Sequence, residues 1–204
     1  MTLEQEVEFL KIWNPLMNGW MTEEKGRILF GLITKHKPAI CVEIGTFAGM
    51  SAVAIAMALK ANKAGILFGI DPWKIEPCLE GTNAEANNNW WKTVQWDKIR
   101  EEYYDRMGKY GLLEYSAHFR RHDSDCVQFF ANESVGFVHF DSNHSEEVAV
   151  ATVHRWWNKL APQCIIVVDD VDWEGQAKSI DVLRDYGCTL IQSFDSYAIY
   201  QKPQ

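Results

Sequence analysis

The sequence lacks a basic excess: 20 Lys and Arg face 28 Asp and Glu, a formal net charge of −8. That balance gives no general attraction to phosphate backbones or anionic lipid, so nucleic acid and membrane surfaces are disfavoured as partners. No apolar run approaches the length of a membrane span, and MTLEQEVEFLK has no basic segment followed by an apolar core. There is no CxxC pair. Cys41, Cys78, Cys126, Cys164 and Cys188 are odd in number and three fall in predicted strands, which fits reduced thiols in the cytoplasm. Repeats, linkers and low-complexity tracts are also missing, and 47% hydrophobic with 24% charged residues is ordinary for one globular domain. Nor is there a GxGxxG turn, which disfavours a dinucleotide-dependent oxidoreductase.

What is present is organised around Cys41 to Ala58, CVEIGTFAGMSAVAIAMA. An apolar β-type run reaches Glu43, passes through Gly45 and Gly49, and becomes small and apolar enough for a helix packed on a sheet. A strand, a tight glycine turn and a helix N-terminus open a nucleotide pocket in which a ligand meets bare backbone. Gly45, Thr46, Gly49 and Ser51 line that turn, and Glu43 at the strand tip is placed to accept hydrogen bonds from a cationic or zwitterionic ligand. The alternative is an ordinary glycine turn in a parallel sheet.

Upstream, residues 2–20 read as a short amphipathic helix ending before Pro15 and Gly19, with Leu16 and Met17 among its apolar positions. Thr22 with Glu23 and Glu24 starts a second helix. Downstream, a buried strand over 65–70 ends at Asp71, which lies 26 positions after Gly45. That is near the spacing of about 20 at which nucleotide folds place an acid on the ribose hydroxyls. Trp73 is a candidate wall for the adenine, or plain packing. Residues 74–112 interrupt the alternation with a turn-rich stretch and an aromatic helix-like one, a predicted substrate lid or a surface helix. A third strand over 117–121 runs into His122-Asp123-Ser124-Asp125, where Ser124 also suits a helix cap.

A second constellation closes the pattern. Strand 135–140 ends in Asp141-Ser142-Asn143-His144, and strand 164–168 ends in Asp169-Asp170. Both deliver acids to the edge of an open parallel sheet where ligands bind. Three carboxylates there repel unless protonated, solvated or neutralised, and all-oxygen ligands suit Mg²⁺. Asp141, Asp169 and Asp170 are therefore the candidate metal ligands. His144 is the candidate general base, since imidazole titrates near neutral pH and sits three residues past Asp141. His139, inside the strand, reads as a core residue. A hairpin over 188–194 and 197–201, turning at Asp195-Ser196, ends the pattern.

EIGTFAGMSA resembles the cofactor motif of class I S-adenosylmethionine-dependent methyltransferases, of the catechol and caffeoyl-CoA type. HFDSNHS followed by IIVVDDVDW is more similar to the macrolide-sugar O-methyltransferases, which carry a histidine and a downstream Asp pair where the catechol enzymes have a lysine and Asp-Asn. The resemblance covers about residues 22–202. It implies an α/β fold with a Rossmann-like, seven-stranded, mostly parallel sheet, helices on both faces and a C-terminal antiparallel hairpin. It also implies that Asp123 and Ser124 contact the adenine and that Asp141 takes part in cofactor binding. The reading is a single-domain O-methyltransferase using S-adenosylmethionine and Mg²⁺ on a small-molecule hydroxyl, with a homodimer unsurprising. A metal-independent enzyme using His144 and a non-catalytic adenosyl-binding module remain the alternatives.

Overall fold

The computed structural model describes residues 2–13 and 18–204; Pro15, Leu16 and Met17, which the sequence assigns to the end of the first helix, lie outside the described residues. Helix α1 spans Leu3–Trp13 and α2 spans Glu23–His36. Thr22 caps α2 as its sequence indicates, its hydroxyl accepting from the Lys25 N–H at 3.2 Å, with Glu23 and Glu24 complementing the positive helix end. Strand β1 (Ile40–Ile44) then leads through the glycine turn into α3 (Met50–Asn62). Every residue of α3 from Ser51 to Leu59 is buried, which matches a helix apolar all round.

The remaining elements are β2 (Ile66–Ile70), α4 (Glu85–Trp91), α5 (Trp96–Lys109), β3 (Ser116–Phe119), α6 (Asp123–Cys126), β4 (Val135–Phe140), α7 (Glu146–Trp157), β5 (Leu160–Asp169), α8 (Ala177–Asp185), β6 (Thr189–Ser193) and β7 (Tyr197–Gln201). They form one seven-stranded sheet in the order β3-β2-β1-β4-β5-β7-β6, parallel except for β7, which runs antiparallel to both neighbours. The chain order reverses between β1 and β4, and such a switch point opens a crevice at the carboxyl ends of the strands. Within 74–112 the stretch read as turn-rich contains helix α4, and the aromatic helix-like stretch forms α5.

Strand alternation sorts the core into two layers. Cys41, Leu67, Phe137, Ile165 and Val167 face α1 to α3, while Val42, Ile44, Val138, Phe140, Ile166 and Val168 face α7 and α8. By the same parity Glu43, His139 and Asp169 point to the α1 to α3 side. Pairing puts Gly69, Glu43, His139 and Val167 in one row across the sheet, with His118 beyond Gly69. A Cβ on Gly69 would stand 2.7 Å from the His118 ring, so the glycine makes room for a polar seam through an otherwise apolar layer.

Candidate active site

A cavity of about 560 Å³ opens at the carboxyl ends of β1, β2, β4 and β5. Its first wall is the glycine turn. Gly45 has φ +90°, and a Cβ there would lie 1.8 Å from the Asp141 carbonyl oxygen, so the close approach of β1 and β4 tips requires glycine. Gly49, at φ +83°, begins α3 without a side-chain cap, leaving the first amides of the helix turned to the cavity beside Ser51. Asp71 organises the turn: one carboxylate oxygen accepts the Thr46 and Phe47 N–H groups at 3.0 and 2.8 Å, the other accepts Trp73 N–H at 2.7 Å. Burial raises the Asp71 pKa and these amides pull it back in part. A carboxylate has about four lone-pair sites, so roughly one stays open toward the cavity.

Three sequence-assigned residues do not line the cavity. Glu43 is fully buried beneath the turn, because its strand parity points it into the α1 to α3 layer, where it meets His139 Nδ1 at 3.1 Å. Trp73 is also buried; its indole N–H donates to the Phe47 carbonyl at 2.9 Å and its ring packs on Tyr103 and Tyr104, so it braces the turn from behind. Ser124 is exposed and hydrogen-bonds His122, whose side chain caps α6. Its neighbour Asp123 does reach the cavity edge, held by Arg155 and by the Trp156 indole N–H at 3.0 Å.

The opposite wall carries ionisable groups. His144 Nε2 lies 2.7 Å from Asp170 Oδ2, its ring centroid is 4.6 Å from that of Trp173, and its Nδ1 is buried without a partner. Asp170 is held at φ +55°, a conformation uncommon for a non-glycine residue. Asp169 turns inward: Oδ1 accepts the Asp170 N–H at 3.1 Å, Oδ2 pairs with the Lys25 ammonium, and His139 Nε2 stands 3.5 Å from Oδ2. Burial opposes ionisation of Asp169, but His139 and Lys25 outweigh it and hold its pKa well below the carboxylate range. Burial likewise opposes charge on His139, and Asp169 and Glu43 overcome it and raise its pKa. Asp141 goes the other way: burial, then the Asp169 charge, push it well above the ordinary value.

Among the described residues, two groupings bring three metal-capable atoms within 4.8 Å of one another: His139 with Asp141 and Asp169, and Asp141 with His144 and Asp170. Asp141 belongs to both. The sequence-assigned trio of Asp141, Asp169 and Asp170 is not itself one of these groupings, because Asp169 leans to His139 and Lys25 while Asp170 leans to His144. Sequence reasoning missed Lys25, which reaches Asp169 across 144 positions, and Trp20, which joins Phe47, Trp90, Trp91 and Trp96 in an aromatic rim. The aromatic density of 74–112 was the one signal for that rim; nothing local marked Lys25.

The sequence pattern of a family described as a methyltransferase domain matches residues 42–171. In three dimensions the chain is similar to the O-methyltransferase NovP, with 14% identity, 99% of each chain covered and a TM-score of 0.76. It is also similar to the O-methyltransferase TomG from Streptomyces achromogenes, solved in complex with SAM, with 16% identity over 100% of this chain and 91% of that one and a TM-score of 0.66. A third likeness is to the O-methyltransferase from Bacillus cereus, solved with SAH, at 13% identity over 99% and 92% of the chains and a TM-score of 0.65. Likeness this distant in sequence speaks for the fold. No curated protein is similar enough in sequence to count as a match. With the family pattern running from β1 through both acidic strand tips, the chain belongs to the methyltransferase domain family.

Proposed function

We propose that this chain is an S-adenosylmethionine-dependent O-methyltransferase acting on a hydroxyl of a small molecule such as a sugar or natural product. The observation that carries the reading is the His144–Asp170 pair, 2.7 Å apart, facing the same cavity as the glycine turn and Asp71. Family membership and the O-methyltransferases of the same fold support it. The first amides of α3 and Ser51 suit the carboxylate of an amino-acid tail, and the open lone pair of Asp71 suits a ribose hydroxyl. Asp123 and His122 border the far end of the cavity, where an adenine would lie. Bound there, S-adenosylmethionine would supply an electrophilic methyl group for the acceptor oxygen.

His144 does the proton work. With Nε2–H donated to Asp170, Nδ1 carries the basic lone pair; because Nδ1 is buried, the imidazole must shift toward the cavity to take the hydroxyl proton as the O–CH₃ bond forms. Asp170 fixes that tautomer and stabilises the imidazolium that results. Orientation supplies most of the remaining acceleration, and Trp20, Trp90 and Trp91 give the same cavity an aromatic rim.

The acid edge fits a divalent cation. Asp141 is a buried carboxyl group that burial and the Asp169 charge hold against ionisation, and the His144 Nδ1 atom is buried without a hydrogen-bond partner. Asp141 with Asp169 or Asp170 would hold Mg²⁺, which would make a bound hydroxyl easier to ionise. One observation favours a metal-independent form of the same reaction: Lys25 already neutralises Asp169. Calorimetric titration with S-adenosylhomocysteine tests the core reading. Saturable binding that weakens in Asp71→Ala supports it, and a folded protein that binds none sinks it. Methyl transfer assayed with and without chelator then separates the two forms.

A further inference from the structure

Lys25 is 4% exposed and lies on the first turn of α2, the turn fixed by the Thr22 cap. The next residue allows no adjustment, since a Cβ on Gly26 would stand 2.9 Å from Phe9 Cζ of α1. The ammonium is therefore delivered to one place, in contact with Asp169 Oδ2 and 5.0 Å from the Tyr197 ring centroid. Most of Asp169 is engaged in this arrangement: Oδ1 accepts the Asp170 N–H, and Oδ2 has the Lys25 ammonium in contact and His139 Nε2 at 3.5 Å. Lys25 and Asp169 both border the cavity, so the ion pair lies on the wall that a cation entering from the cavity would meet. A divalent cation bridging Asp141 and Asp169 would approach their oxygens to about 2.0–2.4 Å. That is space the ammonium now occupies, and two cations on one carboxylate oxygen repel strongly in a partly dry site.

We propose that Lys25 is an internal competitor for the divalent-cation site: its ammonium holds Asp169 in the metal-free protein, and a cation enters by displacing it. The proposal rests on the cation reading of the acid edge. It makes metal affinity a difference between two ion pairs, and it leaves a displaced ammonium in the cavity wall beside Tyr197 when the cation is bound.

The test is calorimetric titration of Mn²⁺ into the wild-type chain, Lys25→Met and Lys25→Arg, without cofactor or acceptor. Lys25→Met is expected to bind Mn²⁺ at least about tenfold more tightly than wild type, and Lys25→Arg to stay weak, because only the former removes the competing charge. Equal affinity in wild type and Lys25→Met overturns the competition while leaving the cation reading standing. No binding to either overturns both. If Lys25→Met does not fold, the wild-type chain decides: saturating Mn²⁺ should raise the labelling of Lys25 by an amine-reactive reagent, relative to the other lysines, several-fold. Unchanged labelling overturns the proposal.

Discussion

At the tips of β1 and β2 the cavity is walled by backbone, whereas at the tips of β4 and β5 it is walled by side chains that titrate. On the first side a carboxylate, Asp71, is engaged by three amides and serves to shape a glycine turn. On the second side carboxylates are partnered by basic side chains, the Lys25 ammonium with Asp169 and the His144 imidazole with Asp170, and a third carboxyl, Asp141, resists ionisation. The lesson is that shape and charge are separable here. A ligand can be recognised by fixed amides and helix-end dipoles on one wall while the other is left free to change its protonation.

The largest effect expected follows from shape. Gly45→Ala places a Cβ 1.8 Å from the Asp141 carbonyl oxygen and forces β1 away from β4. Loss of S-adenosylhomocysteine binding, together with destabilisation of roughly 3 kcal/mol or more in urea unfolding, is expected. A tolerated alanine would break the distinction at its root. Charge comes next: His144→Ala should lower methyl transfer by roughly 10²–10⁴-fold with cofactor affinity unchanged, measured by single-turnover assay and calorimetry. Weakened cofactor binding in that variant would show that the two walls are not independent.

Asp71→Asn should act on both shape and binding. It leaves one of three amides without an acceptor, costing about 1–3 kcal/mol in thermal or urea unfolding, and it weakens S-adenosylhomocysteine binding. The smallest effect has the opposite sign. Asp141 has a folded-state pKa above its unfolded one, so the stability it contributes is complete at acid pH and is lost as the pH rises. His139, also raised, contributes stability that is complete below about 6.5 and is lost as the pH climbs through its folded-state value. Asp169, lowered, contributes above about 3.9 and loses it as the pH falls. Asp141→Asn should therefore raise the melting temperature by about 2–4 °C at pH 7.5, with the gain shrinking as the pH falls toward about 3.9, while abolishing transfer. No pH dependence in that difference would mean that the acid edge carries no strain.

The backbone-built wall was the more legible in sequence. EIGTFAG and Asp71 can be read off because a glycine turn and a strand tip leave local patterns; on the other wall the acids at the ends of β4 and β5 were legible, but their partners were not. The hairpin of β6 and β7 was legible for the same reason, its strands falling on either side of Asp195-Ser196. The assignments that shifted depend on which way a side chain leaves its strand or loop. Glu43 sits at the expected tip yet points under the turn, and Trp73 follows a φ of +46° into the core. Lys25 and His139 were illegible as partners of Asp169 because their contacts cross from α2 and β4 to β5, and no spacing within the chain encodes that meeting.

The sheet order also bears on synthesis. Strand β5 lies between β4 and β7, and Asp169 is in register with Tyr197, which is translated after it. Residues 40–140 carry the glycine turn, Asp71 and strands β1 to β4, whereas the outer edge of β5 is covered by β7, which follows it in the chain. A truncation ahead of Tyr197 would carry a bare strand edge, the kind of surface that draws chains into aggregates.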